Sequence, residues 1–361
     1  MERGMQKLLS VYKHDFKWST LTATLLHFLV DYISISVLVN SSLGVTAETA
    51  GLYALIYDFL AFAIQPLIGV VADVFHKEKY FVLGAVTLLL IGFFIPLPYV
   101  ALAFVGIGNA LFHVFAGKNV MDESEKSAPL GVFISTGALG LSLALNYSLP
   151  RLRYIFLALL VVLGALYFYL RLKEEATIKE EQTKSPLKGK KQAYLVPIIL
   201  VSLGVLIRAV LGYLPTYKGS ALTIEPILVA LFVFLGKAIG GFILDAFGAV
   251  PLMIASVVFT SLGVINYSEP IFRFLFVLGV NLPMAFTLYY AKKALPRFSG
   301  FAFGLLAALL LLGLLLTANK PNETIITILN VTLSLFNAIM CIAVSFFFKK
   351  KETFHVEEET I

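Results

Sequence analysis

Long apolar stretches without charge alternate with short charged segments along this chain. Residues 127–150, 246–268, 298–319 and 324–348 contain no Lys, Arg, Asp or Glu. A helix needs about 20 mostly apolar residues to cross a hydrocarbon core of about 30 Å. We therefore predict an all-α polytopic membrane protein with twelve spans, at about residues 18–39, 51–72, 80–96, 98–117, 128–149, 154–171, 194–216, 223–244, 249–267, 271–290, 299–317 and 324–348.

The composition supports a location in a lipid bilayer. Of the 361 residues, 59% are hydrophobic and 14% are charged, whereas soluble domains average about 25% charged residues. No segment between the spans is long enough for a soluble domain, and the first 17 residues lack the apolar core and cleavage site of a signal peptide. The single cysteine, Cys341, cannot form an intramolecular disulfide.

The 28 Lys and Arg residues are distributed unequally between the two sides of such a chain. Twenty-one lie on the side of the two termini, seven of them between Arg171 and Lys191, and five lie on the other side. The positive-inside rule predicts a cell-membrane protein with both termini cytoplasmic. This distribution of Lys and Arg accounts for the net charge of +6. We therefore expect no nucleic-acid partner. The predicted parts are a six-helix bundle at 1–171, a basic cytoplasmic linker at 172–193, a second six-helix bundle at 194–348 and a cytoplasmic tail at 349–361.

A five-residue pattern occurs twice, each time at the end of an apolar stretch. Gly69-Val-Val-Ala-Asp73 ends the second span, and Gly241-Phe-Ile-Leu-Asp245 ends the eighth, 172 positions later. Internal repeats in a membrane chain are typical of transporters whose halves move about a site between them. A small residue one turn before the acid lets two helices approach closely. We therefore predict two pseudo-symmetric halves.

Several motifs resemble the major facilitator superfamily, and within it the branch of the fosmidomycin resistance protein. The segment 69–79, with Lys77 and Lys79 after the aspartate, is similar to the superfamily's signature between helices 2 and 3, and residues 236–248 are similar to its counterpart between helices 8 and 9. Residues 106–113 are similar to a helix 4 pattern of that branch. Three shorter motifs also fit the branch: His27-Phe28-x-x-Asp31, Gln65-Pro66-x-x-Gly69 and Leu295-Pro296-x-x-x-Gly300.

The resemblance covers nearly the full chain and implies a twelve-helix transporter that works by alternating access. It also implies that helices 1, 4, 7 and 10 line a central cavity, and that Asp73 belongs to a cytoplasmic latch that holds the bundles together when the protein opens outward. Three positions depart from the expected motifs. Val114 replaces a proline, and Val74 and Ala246 replace basic residues.

Five ionisable side chains in the hydrocarbon region stand out as candidates for transport: Asp31, Asp58, His113, Arg208 and Lys237. A charged group in the hydrocarbon region costs about 2.5 to 3.5 kcal/mol on insertion scales, so it persists chiefly when it is useful or paired.

Asp31 and His27 are four residues apart and therefore share a helix face. Together they can hold a proton, because imidazole titrates near neutral pH. His113 and Asn109 repeat this spacing on the fourth span. We predict that Asp31, His27 and His113 couple transport to protons. The alternative is that these polar groups only fix helix packing.

Arg208 keeps its proton and must therefore find an anion. We hypothesise that Asp31 is its resting partner and that protonation of Asp31 releases Arg208 for an anionic substrate; a permanent ion pair is the alternative. The other predicted substrate-binding residues are polar or aromatic groups on the helices that the resemblance implies around the cavity: Asn109, Asn281, Tyr289 and Tyr290. The two tyrosines are also typical of interfacial anchors.

Six residues are predicted to act in gating. They belong to the repeated pattern or lie on helices 2 and 8, which the resemblance implies are in contact with the opposite bundle: Gly69, Asp73, Asp58, Lys237, Gly241 and Asp245. An aspartate at a helix end can accept hydrogen bonds from the N-terminus of a neighbouring helix. The alternatives are that both aspartates are solvated helix ends and that Lys237 extends to the membrane surface.

We predict a secondary active transporter that exports a small anionic or amphiphilic compound by alternating access, coupled to protons, as a monomer. The alternatives are an uptake symporter of the same fold and a transport-inactive receptor or scaffold derived from a transporter. One cysteine and scattered histidines give no spacing typical of a catalytic triad or a metal cluster. We therefore expect no enzyme activity, no metal and no cofactor.

Overall fold

The computed structural model describes residues 12, 14–39, 47–147, 150–182, 193–215 and 224–359. Within these residues every regular element is helical. The long elements are α1 (Trp18–Leu38), α2 (Ala47–Asp58, the π-helical turn Phe59–Ala63 and Gln65–Phe75), α3 (Glu78–Phe94), α4 (Pro98–Glu123), α5 (Ala128–Asn146), α6 (Pro150–Gln182), α7 (Leu195–Tyr213), α8 (Glu225–Phe247), α9 (Ala249–Ile265), α10 (Pro270–Asn281 and Met284–Ala294), α11 (Ser299–Leu316) and α12 (Glu323–Glu359). The prediction of an all-α chain with twelve long helices is confirmed.

Ten of these helices are long and apolar enough to cross a membrane. The other two, α3 and α9, are 17 residues long each. The outward faces carry large apolar side chains, such as Leu67 in α2 and Leu195 in α7, both of which are exposed. An exposed apolar surface of this extent is stable in lipid and not in water, so the chain is a multi-pass membrane protein.

The sixth helix and the last helix extend farthest beyond the spans predicted from hydropathy. The sixth continues to Gln182, into the segment predicted as a linker, and the last continues to Glu359, through the predicted tail. Both extensions are rich in Lys and Glu, which are good helix formers. Near the start of the first extension, Arg171 forms ion pairs with Glu123 and Glu174. Residues 183–192 of the predicted linker lie outside the described part of the chain.

The first six and the last six helices meet mainly through two pairs, α5 with α8 and α2 with α11. Glycines allow the closest approaches in both pairs. A Cβ atom on Gly241 would lie 2.7 Å from the Cα atom of Ala128, and one on Gly69 would overlap the backbone of Gly300. The small residue one turn before each repeated aspartate therefore brings two helices into backbone contact, as the sequence pattern predicts.

Candidate functional site

Asp73, near the end of α2, is bound to the beginning of α11. Its carboxylate accepts backbone hydrogen bonds from Gly300 at 2.8 Å and from Phe301 at 2.8 Å. These N–H groups belong to the first turn of α11, where a helix has unpaired donors and the positive end of its dipole. Asp73 thus acts as an N-cap supplied by another helix.

Asp245, near the end of α8, makes the equivalent contact with the beginning of α5. It accepts backbone hydrogen bonds from Ser127 and Ala128, each at 2.9 Å, and one from the Ser127 hydroxyl at 2.8 Å. The hydroxyl of Tyr12 donates to the same carboxylate at 3.1 Å. Burial and the nearby carboxylate raise the pKa of Tyr12, so its hydroxyl remains a donor. We call the end of the molecule that holds Asp73 and Asp245 the signature end.

Further charged groups connect the helices at the signature end. Lys118 in α4 lies between Glu78 and Asp122, with its Nζ 2.7 Å and 2.9 Å from their carboxylates. The second oxygen of Asp122 accepts a 2.5 Å hydrogen bond from the Ser299 hydroxyl at the start of α11. The sequence analysis missed this network, although the i, i+4 spacing of Lys118 and Asp122 was a visible signal.

A cavity of about 560 Å³ lies between the two groups of helices. It extends to Asn146 and Tyr213, the last residues of α5 and α7. Since α5 begins at the signature end, these residues mark the opposite end of the molecule. Most of the lining is apolar, and the ionisable groups on its wall are His27, Asp31, His113, Tyr213, Lys237, Tyr267 and Arg273.

Three of these residues form one cluster that joins α1 and α4. His27 Nε2 lies 3.4 Å from Asp31 Oδ2, and His113 Nε2 lies 3.6 Å from Asp31 Oδ1. The Asn109 amide donates to Asp31 Oδ1 at 3.0 Å. The i, i+4 pair on α1 was predicted from the sequence. The approach of His113 depends on how α4 packs against α1.

Backbone carbonyls fix the orientation of both imidazoles. His27 Nδ1 lies 2.7 Å from the carbonyl oxygen of Phe133, and His113 Nδ1 lies 2.9 Å from that of Asn109. Because a carbonyl oxygen only accepts, each Nδ1 carries the hydrogen, and each Nε2 faces Asp31. The expectation of no metal stays a prediction, but the packing of α4 on α1 creates a three-residue group that the sequence spacing did not show. The potential ligand atoms of His27, Asp31 and His113 all lie within 4.8 Å of one another.

Arg208 is buried in α7 and is absent from the residues that line the cavity. Its guanidinium interacts electrostatically with Tyr213. Asp31 is paired with His27 and His113. The hypothesised ion pair between Asp31 and Arg208 is therefore not formed in this conformation; Asp31 contacts the imidazoles of α1 and α4 instead.

The remaining predicted substrate-binding residues also lie off the cavity wall. The Asn281 amide donates to the Val277 carbonyl in its own helix at 2.7 Å. Tyr290 packs on Phe286, with ring centroids 4.3 Å apart, and Lys293 Nζ lies 4.8 Å from the ring centroid of Tyr289. These contacts favour the interpretation of the tyrosines as packing and anchoring groups.

Of the predicted gating residues within the spans, Lys237 lines the cavity, whereas Asp58 precedes the π-helical turn of α2 and does not. The sequence analysis missed Arg273, which lines the cavity, forms an ion pair with the buried Glu225 and donates to the Ser268 carbonyl. Arg273 was counted only as a loop charge, because the predicted tenth span begins just before it.

Comparisons with known proteins agree with this architecture. Residues 20–291 match the family model of the Major Facilitator Superfamily. Among solved structures, the chain is similar to the E. coli fucose:proton symporter, with a TM-score of 0.58, 13% identity and coverage of 92% of this chain and 99% of that chain. It is also similar to a proton:xylose symporter, with a TM-score of 0.57, 14% identity and coverage of 94% and 96%.

A third similar structure is a bacterial homologue of the iron transporter ferroportin in its outward-facing state, with a TM-score of 0.55, 14% identity and coverage of 91% of this chain and all of that chain. Identities this low establish the fold alone. A comparison with curated proteins found no match. The fosmidomycin resistance branch remains a prediction.

Proposed function

The chain belongs to the major facilitator superfamily, and from this premise we propose that it is a secondary active transporter that exports a small anionic or amphiphilic compound in exchange for protons. The observation that carries this proposal is a mostly apolar cavity that reaches the end of the molecule opposite Asp73 and Asp245, with a histidine and aspartate cluster on its wall. The excess of Lys and Arg supports a cytoplasmic location of the signature end.

Two latches hold the signature end closed. Each joins one helix of the first half to one helix of the second, through a carboxylate that accepts two backbone hydrogen bonds. Opening the cavity to the cytoplasm requires both latches to break while the opposite end closes. This arrangement supports alternating access between two discrete packings.

The opposite end offers one pair of charged groups for its own closure. Asp58 in α2 and Arg208 in α7 belong to different halves, and both interact electrostatically with Tyr213. Neither forms an ion pair with another described residue in this conformation. Both would gain a partner if the halves closed here, because the cost of a buried charge falls when it is paired. We therefore assign Asp58 and Arg208 to a gate.

Asp31 with His27 and His113 is the site assigned to the coupling proton. A carboxylate between two imidazoles can take up a proton from the cavity and share it among the three groups. The names of two structural relatives describe proton symporters, which supports the proton as the coupling ion. An uptake symporter is therefore the second candidate, and it differs from the first only in the direction of substrate movement.

Lys237 and the apolar walls define the class of compound. Lys237 lines the cavity and has no carboxylate within ion-pair distance among the described residues. Phe62, Leu141 and Phe303 are among the apolar lining groups. A ligand with an apolar body and one negative group would bury apolar surface and neutralise Lys237 at the same time.

The test uses purified protein in proteoliposomes with an imposed pH gradient and a panel of amphiphilic anions. We expect substrate-dependent proton movement that Asp31→Asn abolishes and that Glu48→Gln, which removes an exposed acid at the start of α2, leaves unchanged. Proton and substrate moving in the same direction would identify the uptake symporter. Absence of substrate-dependent proton movement with every compound would instead support a transport-inactive receptor or scaffold.

A further inference from the structure

We propose that His27, Asp31 and His113 bind one divalent transition-metal ion at the cavity wall, a binding property that goes beyond the export of an organic compound. Each residue offers one ligand atom, and the three atoms lie within 4.8 Å of one another. Imidazole nitrogen and carboxylate oxygen together are typical ligands of Zn²⁺, Co²⁺, Mn²⁺ and Fe²⁺.

The distances between the ligand atoms fit an ion better than direct hydrogen bonds. The two Nε2 to Asp31 oxygen distances are 3.4 Å and 3.6 Å, whereas a charge-assisted N–H···O bond is about 2.7 to 2.9 Å long. Around a tetrahedral ion with bonds of about 2.0 to 2.2 Å, neighbouring ligand atoms are roughly 3.3 to 3.6 Å apart. The two Nε2 atoms already have this spacing to Asp31 without an ion, each to a different oxygen of the carboxylate.

The groups behind the three ligands hold them in ligating orientations. Both histidines donate Nδ1–H to backbone carbonyls, of Phe133 and Asn109, which leaves each Nε2 lone pair directed at Asp31. The Asn109 amide fixes Asp31 through Oδ1. Histidine ligands in metal sites are held in this way by carbonyls or carboxylates, and loss of such support typically lowers metal affinity about 10- to 100-fold.

A glycine keeps space open beside the ligands. A Cβ atom on Gly137 of α5 would overlap Asp31 Oδ2 and would lie 2.5 Å from His27 Nε2. All three ligand residues line the cavity, with 6%, 15% and 11% of the side chains of His27, Asp31 and His113 exposed. An ion would therefore have three protein ligands and an open position toward the cavity, unlike the closed four-ligand sites that hold structural zinc.

Lys237, from the second half, acts on this cluster through its charge, since it interacts electrostatically with Asp31 and His113. A cation there disfavours a second cation, so the intact protein should bind the ion less tightly than a variant without Lys237. An anion on the open position would offset this repulsion.

The experiment titrates the purified full chain, without a histidine tag, with Co²⁺ and follows the visible absorption of the bound ion. We expect one Co²⁺ per chain with tetrahedral absorption, displaced by Zn²⁺. Asp31→Asn and His113→Gln should each weaken binding tenfold or more. His76→Gln should change nothing, because His76 lies 67% exposed at the end of α2.

Three further variants separate binding from folding. Gly137→Ala should weaken Co²⁺ binding, whereas Gly84→Ala in α3, where an added Cβ meets nothing within 4 Å, should not. Lys237→Met should strengthen it severalfold. Absence of stoichiometric Co²⁺ binding in protein that elutes as a single species, or binding that His113→Gln and Lys237→Met leave unchanged, would overturn the site. The titration needs no gradient and no substrate, so its outcome is independent of the proposed transport.

Discussion

The Asp73 carboxylate accepts a 2.8 Å hydrogen bond from the backbone N–H of Gly300, which joins the end of α2 to the beginning of α11 across the two halves. A second bond, to Phe301, makes the contact bidentate. Because Gly69 and Gly300 also bring the two backbones into contact, this junction combines close packing with a charge-assisted cap.

Asp73→Asn should weaken this junction, because an amide has one acceptor oxygen and no charge. A hydrogen bond to a charged group contributes roughly 1.5 to 3 kcal/mol, so the population open at the signature end should rise about 10- to 100-fold. A cysteine introduced at Ala307 on the cavity wall, in a Cys341→Ser background, would report this opening by its labelling from the signature side. Unchanged labelling would show that the latch does not limit opening.

Gly241→Val should disrupt the second junction by steric overlap. The added Cβ would lie 2.7 Å from the Ala128 Cα atom and 2.8 Å from the Ser127 carbonyl oxygen, and the two helices can relieve this only by separating. Overpacking of this kind costs about 1 to 3 kcal/mol. We expect a lower thermal midpoint together with increased labelling of the cavity cysteine from the signature side. Gly51→Val, at an open position of α2, serves as the control and should change neither.

Much of this architecture can be predicted from the sequence. Where it cannot, there is a physical reason. Hydropathy predicts the twelve helices because lipid requires long apolar runs. It does not predict that α6 continues to Gln182, because the helical structure of that extension depends on the helix propensity of its residues and not on burial in lipid. The i, i+4 pair His27 and Asp31 follows from helix geometry, whereas the approach of His113 requires the packing of α4 on α1. For the same reason, the sequence could not show that Arg208 and Asp31 do not pair in this conformation.

Tyr12→Phe should loosen the latch at Asp245 by removing the hydroxyl that donates to its carboxylate at 3.1 Å. The pKa of Tyr12 is raised by burial and by Asp245. Because the pKa is raised, this bond stabilises the latch fully below the ordinary tyrosine pKa of about 10. Its contribution to the stability of the latch is lost progressively as the pH rises above that value. Labelling of the Ala307 cysteine should therefore rise with pH above about 10 more in wild type than in the variant. Equal profiles would contradict this role.

Asp58 and Arg208 should pair only when the end opposite the latches is closed. Asp58→Asn and Arg208→Gln should each favour the conformation seen here, and labelling of the Ala307 cysteine from that opposite side should increase. The charge exchange Asp58→Arg with Arg208→Asp should restore wild-type labelling if the two groups act as a pair. If the exchange behaves no better than the single variants, the gate must use other residues.

Asp31→Asn should separate coupling from substrate movement. The amide preserves the size of the side chain and its contact with the Asn109 amide, but it removes the charge between the two imidazoles. We expect loss of pH-driven transport with retained exchange of substrate across the membrane, because alternating access itself depends on the latches and not on this cluster. Asp31→Glu should recover part of the coupling. Full pH-driven transport by Asp31→Asn would mean that the coupling proton binds elsewhere. The role of the cluster would then be helix packing or metal binding.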